Sequence, residues 1–466
     1  MIERESSRLL HFESPRVAEA QGVACSIGGT KAFPVDTTAS LQALFSQYAA
    51  TQQEVQVSFR QLVPWLKVGE RATHYLHPYP AKLLPQIAHY FLATKELCPK
   101  GGVVLDPFGG TATVALEACL SKRTAYYADA NPLARLIAFA KVTPIPAKRA
   151  MASLGTLRTA YARSRARSVP NVVNIEKWYS KPAIRQLTRL AATIAAQEDS
   201  PIKTLMRVTL SAVARKVSHT DARLSVPVFL KPNETEAAKK NDVWGRYEEQ
   251  FLANVRRLEE LGSLSEGDTL DFLSVADDAR RLTPGCGGQI PEGTVDLVIT
   301  SPPYAGAQKY IRASSLSLGW LGLTEDISLK HLENQSIGRE HHLLADIQTF
   351  QSTSLPAANR LLREIWRANK TRAHICSTYL NEMEVVIQQL ELVIRRGGHV
   401  VLVIGNNVVC GKNFESSRYL TELFERRNFT LTLALVDDIK SRGLMTKRNK
   451  TANVIACERV LVFKKL

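Results

Sequence analysis

Two short turns, nearly two hundred residues apart, carry most of the chemistry in this sequence: Asp106-Pro107-Phe108-Gly109-Gly110-Thr111 and Thr300-Ser301-Pro302-Pro303-Tyr304. In the first, paired glycines let the backbone turn tightly and approach a ligand with no Cβ in the way. A helix opening just after it presents free backbone N–H groups suited to a carboxylate. Asp129, about one βα unit later, is placed to accept hydrogen bonds from ribose hydroxyls. The first turn therefore has the chemistry to hold a nucleoside cofactor. In the second, the Ser301 hydroxyl and the Pro302 carbonyl are a pair of acceptors, and consecutive prolines fix φ and pre-set the carbonyl direction. Such a pair can take both hydrogens of an amino group on an aromatic ring and turn its lone pair out of conjugation. Tyr304 can stack on that ring.

These turns need strands to carry them. Each follows an apolar run that reads as a buried strand, residues 103–105 and 295–299. From 103 the pattern alternates: strand, glycine turn, a helix over 113–121, and a second strand over 125–128 ending at Asp129. Such alternation predicts βαβ units and a parallel sheet. Upstream, 40–50 reads as a short helix and 83–92 as another. Residues 147–260 read as mostly helical, too long for a crossover helix. The α/β pattern resumes at Gly267-Asp268, with a helical stretch over 348–395 and strands over 399–404, 431–436 and 459–463. The expected organisation is an N-terminal extension (1–70), a cofactor-binding half (71–146), a helical insertion (147–262) and a catalytic half (263–466).

Together with Asp129-Ala130-Asn131-Pro132, the two turns resemble the diagnostic motifs of the amino-directed (N4-cytosine or N6-adenine) S-adenosylmethionine-dependent DNA methyltransferase family. The resemblance extends to His77-Pro78-Tyr79-Pro80-Ala81-Lys82, Tyr310-Ile311-Arg312, Ser336-Ile337-Gly338-Arg339-Glu340, Tyr379 and Met383, and covers residues 74–145 and 265–466. Ala112, where many relatives carry glycine, departs from it. The resemblance implies a Rossmann-like α/β fold, a mostly parallel seven-stranded sheet with helices on both faces, plus the basic helical insertion. It implies S-adenosylmethionine as cofactor, DNA as partner and a target base flipped out of the duplex.

By the same resemblance Ser301, Pro302, Pro303 and Tyr304 are catalytic. Tyr79, Pro80, Lys82, Asp106, Pro107, Phe108, Gly109, Gly110, Thr111, Asp129, Asn131 and Thr300 are cofactor residues, joined by Asp268, whose segment is expected near the adenine. Methyl transfer is then an in-line displacement governed by alignment, and the methylated amine sheds its proton to water, with no strong base required. Thr300-Ser301 favours N4 of cytosine over N6 of adenine. The rival C5-cytosine chemistry needs a cysteine nucleophile, typically in a Pro-Cys turn, and no such dipeptide occurs. An RNA amino-methyltransferase and an idle DNA-binding subunit remain the alternatives.

Charge points the same way. Lys and Arg number 60 against 44 acids, a net charge of +16, which suits an anionic partner such as nucleic acid. Residues 148–262 hold 21 cations and 11 acids. Arg163, Arg165, Arg167, Lys181, Arg185, Arg215 and Lys216 are candidate phosphate contacts there. A second cluster near the C-terminus contains Lys440, Arg442, Lys447, Arg448 and Lys450. The seven cysteines form no Cys-x-x-Cys pair, and His341-His342 stand without further ligands at metal spacing, so no metal is expected. No apolar run is long enough to span a membrane, and the N-terminus is too charged for a signal peptide. On these features a cytoplasmic location is expected. Family habit adds a bacterial restriction–modification or defence setting, with a cognate nuclease or subunit as a further partner.

Overall fold

The computed structural model describes residues 32–67, 71–80, 82–231, 233, 240–306, 310–324, 327–438 and 457–466. The strands among them are β1 (Val55–Val57), β2 (Val103–Asp106), β3 (Thr124–Ala128), β4 (Phe272–Ala276), β5 (Val295–Thr300), β6 (Ile394–Ile404), β7 (Asn407–Val409), β8 (Lys412–Phe414), β9 (Phe429–Asp438) and β10 (Cys457–Lys465). Eight of them form one sheet in the order β1-β9-β10-β6-β5-β2-β3-β4, and β7 and β8 pair as a separate hairpin. The neighbours β6-β5-β2-β3-β4 are all parallel, whereas β10 runs antiparallel to both β6 and β9. The fold is thus the expected Rossmann-like α/β arrangement. It carries one strand more than the seven expected, because β1, from the segment read as an extension, joins β9 in parallel.

Val, Leu and Ile fill β2, β5 and β6, and these strands are largely buried, as a parallel sheet covered by helices on both faces requires. The described helices of eight or more residues are α1 (Thr38–Thr51), α2 (Pro85–Leu92), α3 (Thr113–Leu120), α4 (Pro132–Val142), α5 (Ala147–Arg163), α6 (Lys181–Ala195), α7 (Pro201–Val217), α8 (Val243–Leu264), α9 (Tyr310–Trp320), α10 (Pro356–Ala368), α11 (Lys370–Val393) and α12 (Ser416–Glu425). The helical stretch expected over 348–395 holds two helices, α10 and α11. Asn369 ends α10 and its side chain caps α11 by accepting from Arg372 N at 3.0 Å. None of the described helices is long and apolar enough to cross a membrane.

The basic block α5–α8 lies in the crossover from β3 to β4. It does not carry an independent core: its buried residues are continuous with those of the sheet. Helix α7 packs on α4 and α9, and Ser211 Oγ shares a 2.8 Å hydrogen bond with His77 Nε2. The insertion is therefore fastened to the helix that follows Asp129 and to the helix that follows the proline turn.

Candidate active site

Strands β2 and β5 lie side by side, with Val104 opposite Leu297 and Leu105 opposite Val298. The chain crosses from β2 toward β3 and β4 on one side, and from β5 toward β6 on the other. That is a topological switch point, where parallel sheets leave a crevice beyond the carboxyl ends of their strands. Both turns emerge there. They are also bonded to each other: Thr300 Oγ1 donates to Asp106 Oδ1 at 2.7 Å, and Phe108 N donates to the same oxygen at 3.1 Å. Burial pushes the Asp106 carboxyl up to about 7, against these two hydrogen bonds.

One pocket opens over this junction. Its walls include Tyr79, Pro107, Phe108, Gly110, Asp129, Asn131, Asp278, Ser301, Pro303, Tyr310, Ile311, Ser336 and Ile337. A Cβ on Gly109 would fall onto the ring of Tyr127, whose hydroxyl donates to Gly110 O at 2.7 Å. Gly110 N and Asn131 N donate to the two oxygens of Asp129 at 2.9 and 2.8 Å. Burial raises the pKa of this carboxyl. A carboxylate offers about four acceptor positions, so Asp129 retains capacity for further hydroxyl donors. Asn131 caps α4 by accepting from Leu133 N at 3.0 Å and donates to Tyr79 Oη at 2.9 Å. Thr111 Oγ1 is buried behind the turn with no hydrogen-bond partner among the described residues.

Other expected residues support the pocket without lining it. Lys82 donates to His77 O at 2.6 Å and His74 O at 3.2 Å, and burial lowers its amine to about 8. It thus ties its own segment together. Pro80, Gly109, Thr111 and Thr300 belong to the frame, and Pro302 lies between the lining residues Ser301 and Pro303. His74 meets the fully buried Glu117 at 2.8 Å, beside a two-pronged contact from Arg71 at 2.6 and 2.7 Å. Burial takes His74 down to about 4, so it sits neutral in a structural network.

Two expectations need correction. Asp268 is not brought to the pocket. It precedes β4, is exposed, and pairs with Lys122. Strand β4 runs from that end toward the pocket, so the acid it delivers is Asp278, which lines the wall. Tyr304 does not present its ring to the pocket. It is 8% exposed, and its hydroxyl donates to Glu458 Oε1 at 2.9 Å, because a buried hydroxyl needs a partner. No sequence signal pointed to Glu458, which lies 154 residues away.

The candidate phosphate contacts divide. Arg165, Arg167 and Arg185 line one open groove between the segment after α5 and helix α6, together with Arg189. Arg189 was not anticipated; its guanidinium lies over the Tyr161 ring at 4.7 Å and donates to Tyr161 O. Arg163, at the end of α5, and Lys181, at the start of α6, are exposed but outside the groove. Arg215 is occupied with Leu224 O at 2.8 Å, and Lys216 with Gln250 Oε1 at 2.7 Å. Arg442, Lys447 and Arg448 lie outside the described residues.

Comparison with known proteins follows the motifs. The chain is 24% identical over 409 residues to the type II methyltransferase M.MvaI of Kocuria varians, spanning 82% of this chain and 87% of that one. No family profile matches it. Among solved structures, a candidate DNA modification methylase from Thermus thermophilus, complexed with S-adenosylmethionine, aligns over 40% of this chain and 51% of its own. It does so at 17% identity and a TM-score of 0.20. The rRNA methyltransferase aviRa of Streptomyces viridochromogenes aligns over 87% and 96%, at 12% identity and a TM-score of 0.30. Structural likenesses this slight carry no weight for the site.

Proposed function

We propose that this chain, which belongs with the DNA methyltransferases, transfers a methyl group to the exocyclic amine of a base flipped out of DNA, at N4 of cytosine. The observation that carries this reading is the pocket lined by both turns, with Thr300 bonded to Asp106 across the junction. The residues fit S-adenosylmethionine. Asp129 has acceptor capacity beyond its two backbone donors, and the start of α3 offers free N–H groups. When bound, that cofactor supplies an electrophilic methyl group.

What the chain itself contributes is acceptance and alignment. Ser301 Oγ and Pro302 O accept the two amine hydrogens, which points the nitrogen lone pair along the line of transfer. Holding the reactants in that line is worth much of the rate by itself. Thr300-Ser301 favours cytosine over adenine. The basic groove of Arg165, Arg167, Arg185 and Arg189 is the proposed seat of DNA phosphates. A self-marking setting with a partner nuclease accords with the type II name of the relative.

The test is nucleoside mass spectrometry on duplex DNA incubated with the purified protein and S-adenosylmethionine. N4-methylcytosine is the expected product. N6-methyladenine would overturn the choice of base and keep the chemistry; methylation confined to RNA, or none at all, would overturn the reading.

A further inference from the structure

The proline turn continues into a line of hydrogen-bonding groups that leaves the pocket. Ser301 stands in the pocket wall, and its side chain is a hydrogen-bond partner of the Tyr304 oxygen, easing that phenol's ionisation against the burial that opposes it. The Tyr304 hydroxyl donates in turn to Glu458 Oε1 at 2.9 Å. Glu458 is there because β10 is antiparallel. Arg459 pairs with Ile404, the last residue of β6, so the start of β10 reaches the edge where β5 and β6 end. Glu458 is only partly buried and can exchange protons with water.

We propose that Ser301, Tyr304 and Glu458 form a proton relay that carries the surplus proton of the methylated amine out of the pocket to the Glu458 carboxylate. This rests on the methyl-transfer reading above. As the new N–C bond forms, the S–C bond to the transferred methyl group breaks with its electron pair going to sulfur, which leaves as a neutral thioether, and the amine nitrogen becomes cationic. One of its N–H bonds breaks toward Ser301 Oγ, and the bonding pair stays on nitrogen and cancels the charge. The Ser301 proton moves to Tyr304 Oη, the Tyr304 proton moves to Glu458 Oε1, and Glu458 later releases it to solvent. Both hydroxyls end as they began, and the only net change along the relay is one N–H exchanged for one carboxyl O–H. Tyr304 donates to Glu458, the direction in which the proton must travel. This replaces the expected loss of the proton directly to water.

The groups that face Glu458 are Tyr304 from the turn, Arg60 from just after β1, and Asp437, its register partner on β9. Burial holds the carboxyl above the ordinary glutamate range, with Tyr304 and Arg60 opposing. A base in that condition works when ionised. The transfer rate should therefore fall as pH drops through the Glu458 pKa.

The test is single-turnover methylation of duplex DNA across a pH series, with Glu458→Gln, Tyr304→Phe, the double variant and Glu458→Ala. Glutamine can still accept from Tyr304 but cannot take a proton. The expected result is a rate loss of about 100-fold for each single variant, the lower range of general-base effects. Affinities for cofactor and DNA should be unchanged, and the Glu458→Gln profile should be flat. The double variant should be no slower than either single, because both block one route. A readout without turnover is difference infrared spectroscopy of the carboxyl, assigned with Glu458→Gln. Its pKa should rise in Tyr304→Phe, which removes a donor favouring the carboxylate. Wild-type rates in Glu458→Gln beside a slow Glu458→Ala would reduce Glu458 to a strut and overturn the relay alone. No transfer by the wild-type protein to any base would overturn the methyl-transfer reading and the relay with it.

Discussion

Asp129 shows how much of the site is settled by single side chains. Both of its oxygens accept backbone N–H groups, one from each flank of the pocket. Asp129→Ala frees both donors and removes the acceptor proposed for the ribose. Hydrogen bonds to a charged group contribute about 1.5–3 kcal/mol, so cofactor affinity should fall roughly 10- to 100-fold by calorimetry. Asp106 gives a pH signature. Its carboxyl sits at about 7 in the fold against 3.8 when unperturbed, so the folded state holds the proton more tightly than the unfolded state. Its contribution to stability is complete below the lower value and is lost as pH rises through the upper one. Asp106→Asn keeps an acceptor for Thr300 and Phe108 and cannot ionise. Melting temperatures should therefore decline over that window in the wild type and less in the variant. The positions of the two turns were legible because each follows an apolar run that forms a strand. Asp268 was misplaced because two acidic segments flank a short strand, and nothing local tells which end faces the ligand. Glu458 was illegible because only the antiparallel return of the chain brings it near Tyr304.

The elements impose their own constraints on the proline turn. Gly338 has a φ of +74°, and a Cβ there would lie 2.9 Å from Tyr304 O, while its own carbonyl accepts from Gly306 N at 3.1 Å. The segment Ser336–Glu340 thus clasps the turn after Tyr304. Gly338→Ala costs about 1–2 kcal/mol for the backbone conformation alone and pushes the turn aside. A melting temperature lower by several degrees, with cofactor affinity retained and methylation strongly reduced, is the expected outcome by calorimetry and product assay. Strands β2, β3, β5 and β6 were visible as apolar runs because a doubly covered parallel sheet demands them. β1 escaped notice: three residues between polar neighbours give no period. The break at Asn369 was hidden inside an apparently continuous helical pattern, where the cap is recognisable only once the chain is seen to bend. Helix α9 was present only as matched motifs, although it supplies Tyr310 and Ile311 to the pocket wall.

Across the whole molecule, the excess positive charge is not spread evenly. Arg165, Arg167, Arg185 and Arg189 share one groove, on a block tied through Ser211 and His77 to the frame of the pocket. Each phosphate contact contributes about 0.9 to the slope of log affinity against log salt concentration. Replacing Arg165, Arg167 and Arg185 together with alanine should lower that slope by about 2–3 in anisotropy titrations, and leave cofactor affinity alone. The basic block was legible from composition. Its division into a groove and a set of internally occupied cations was not, because Arg215 and Lys216 differ from Arg185 only in what the fold places beside them. At the far side of the sheet, Val55, Gln56 and Val57 pair with Leu435, Val436 and Asp437 on the outer side of β9. Uncovered, that side would offer a row of unpaired N–H and C=O groups beside apolar side chains, a template for pairing with another chain. The short strand β1 covers Leu435, Val436 and Asp437 of that side, and a shortened version of the protein that lacks it should self-associate in light scattering.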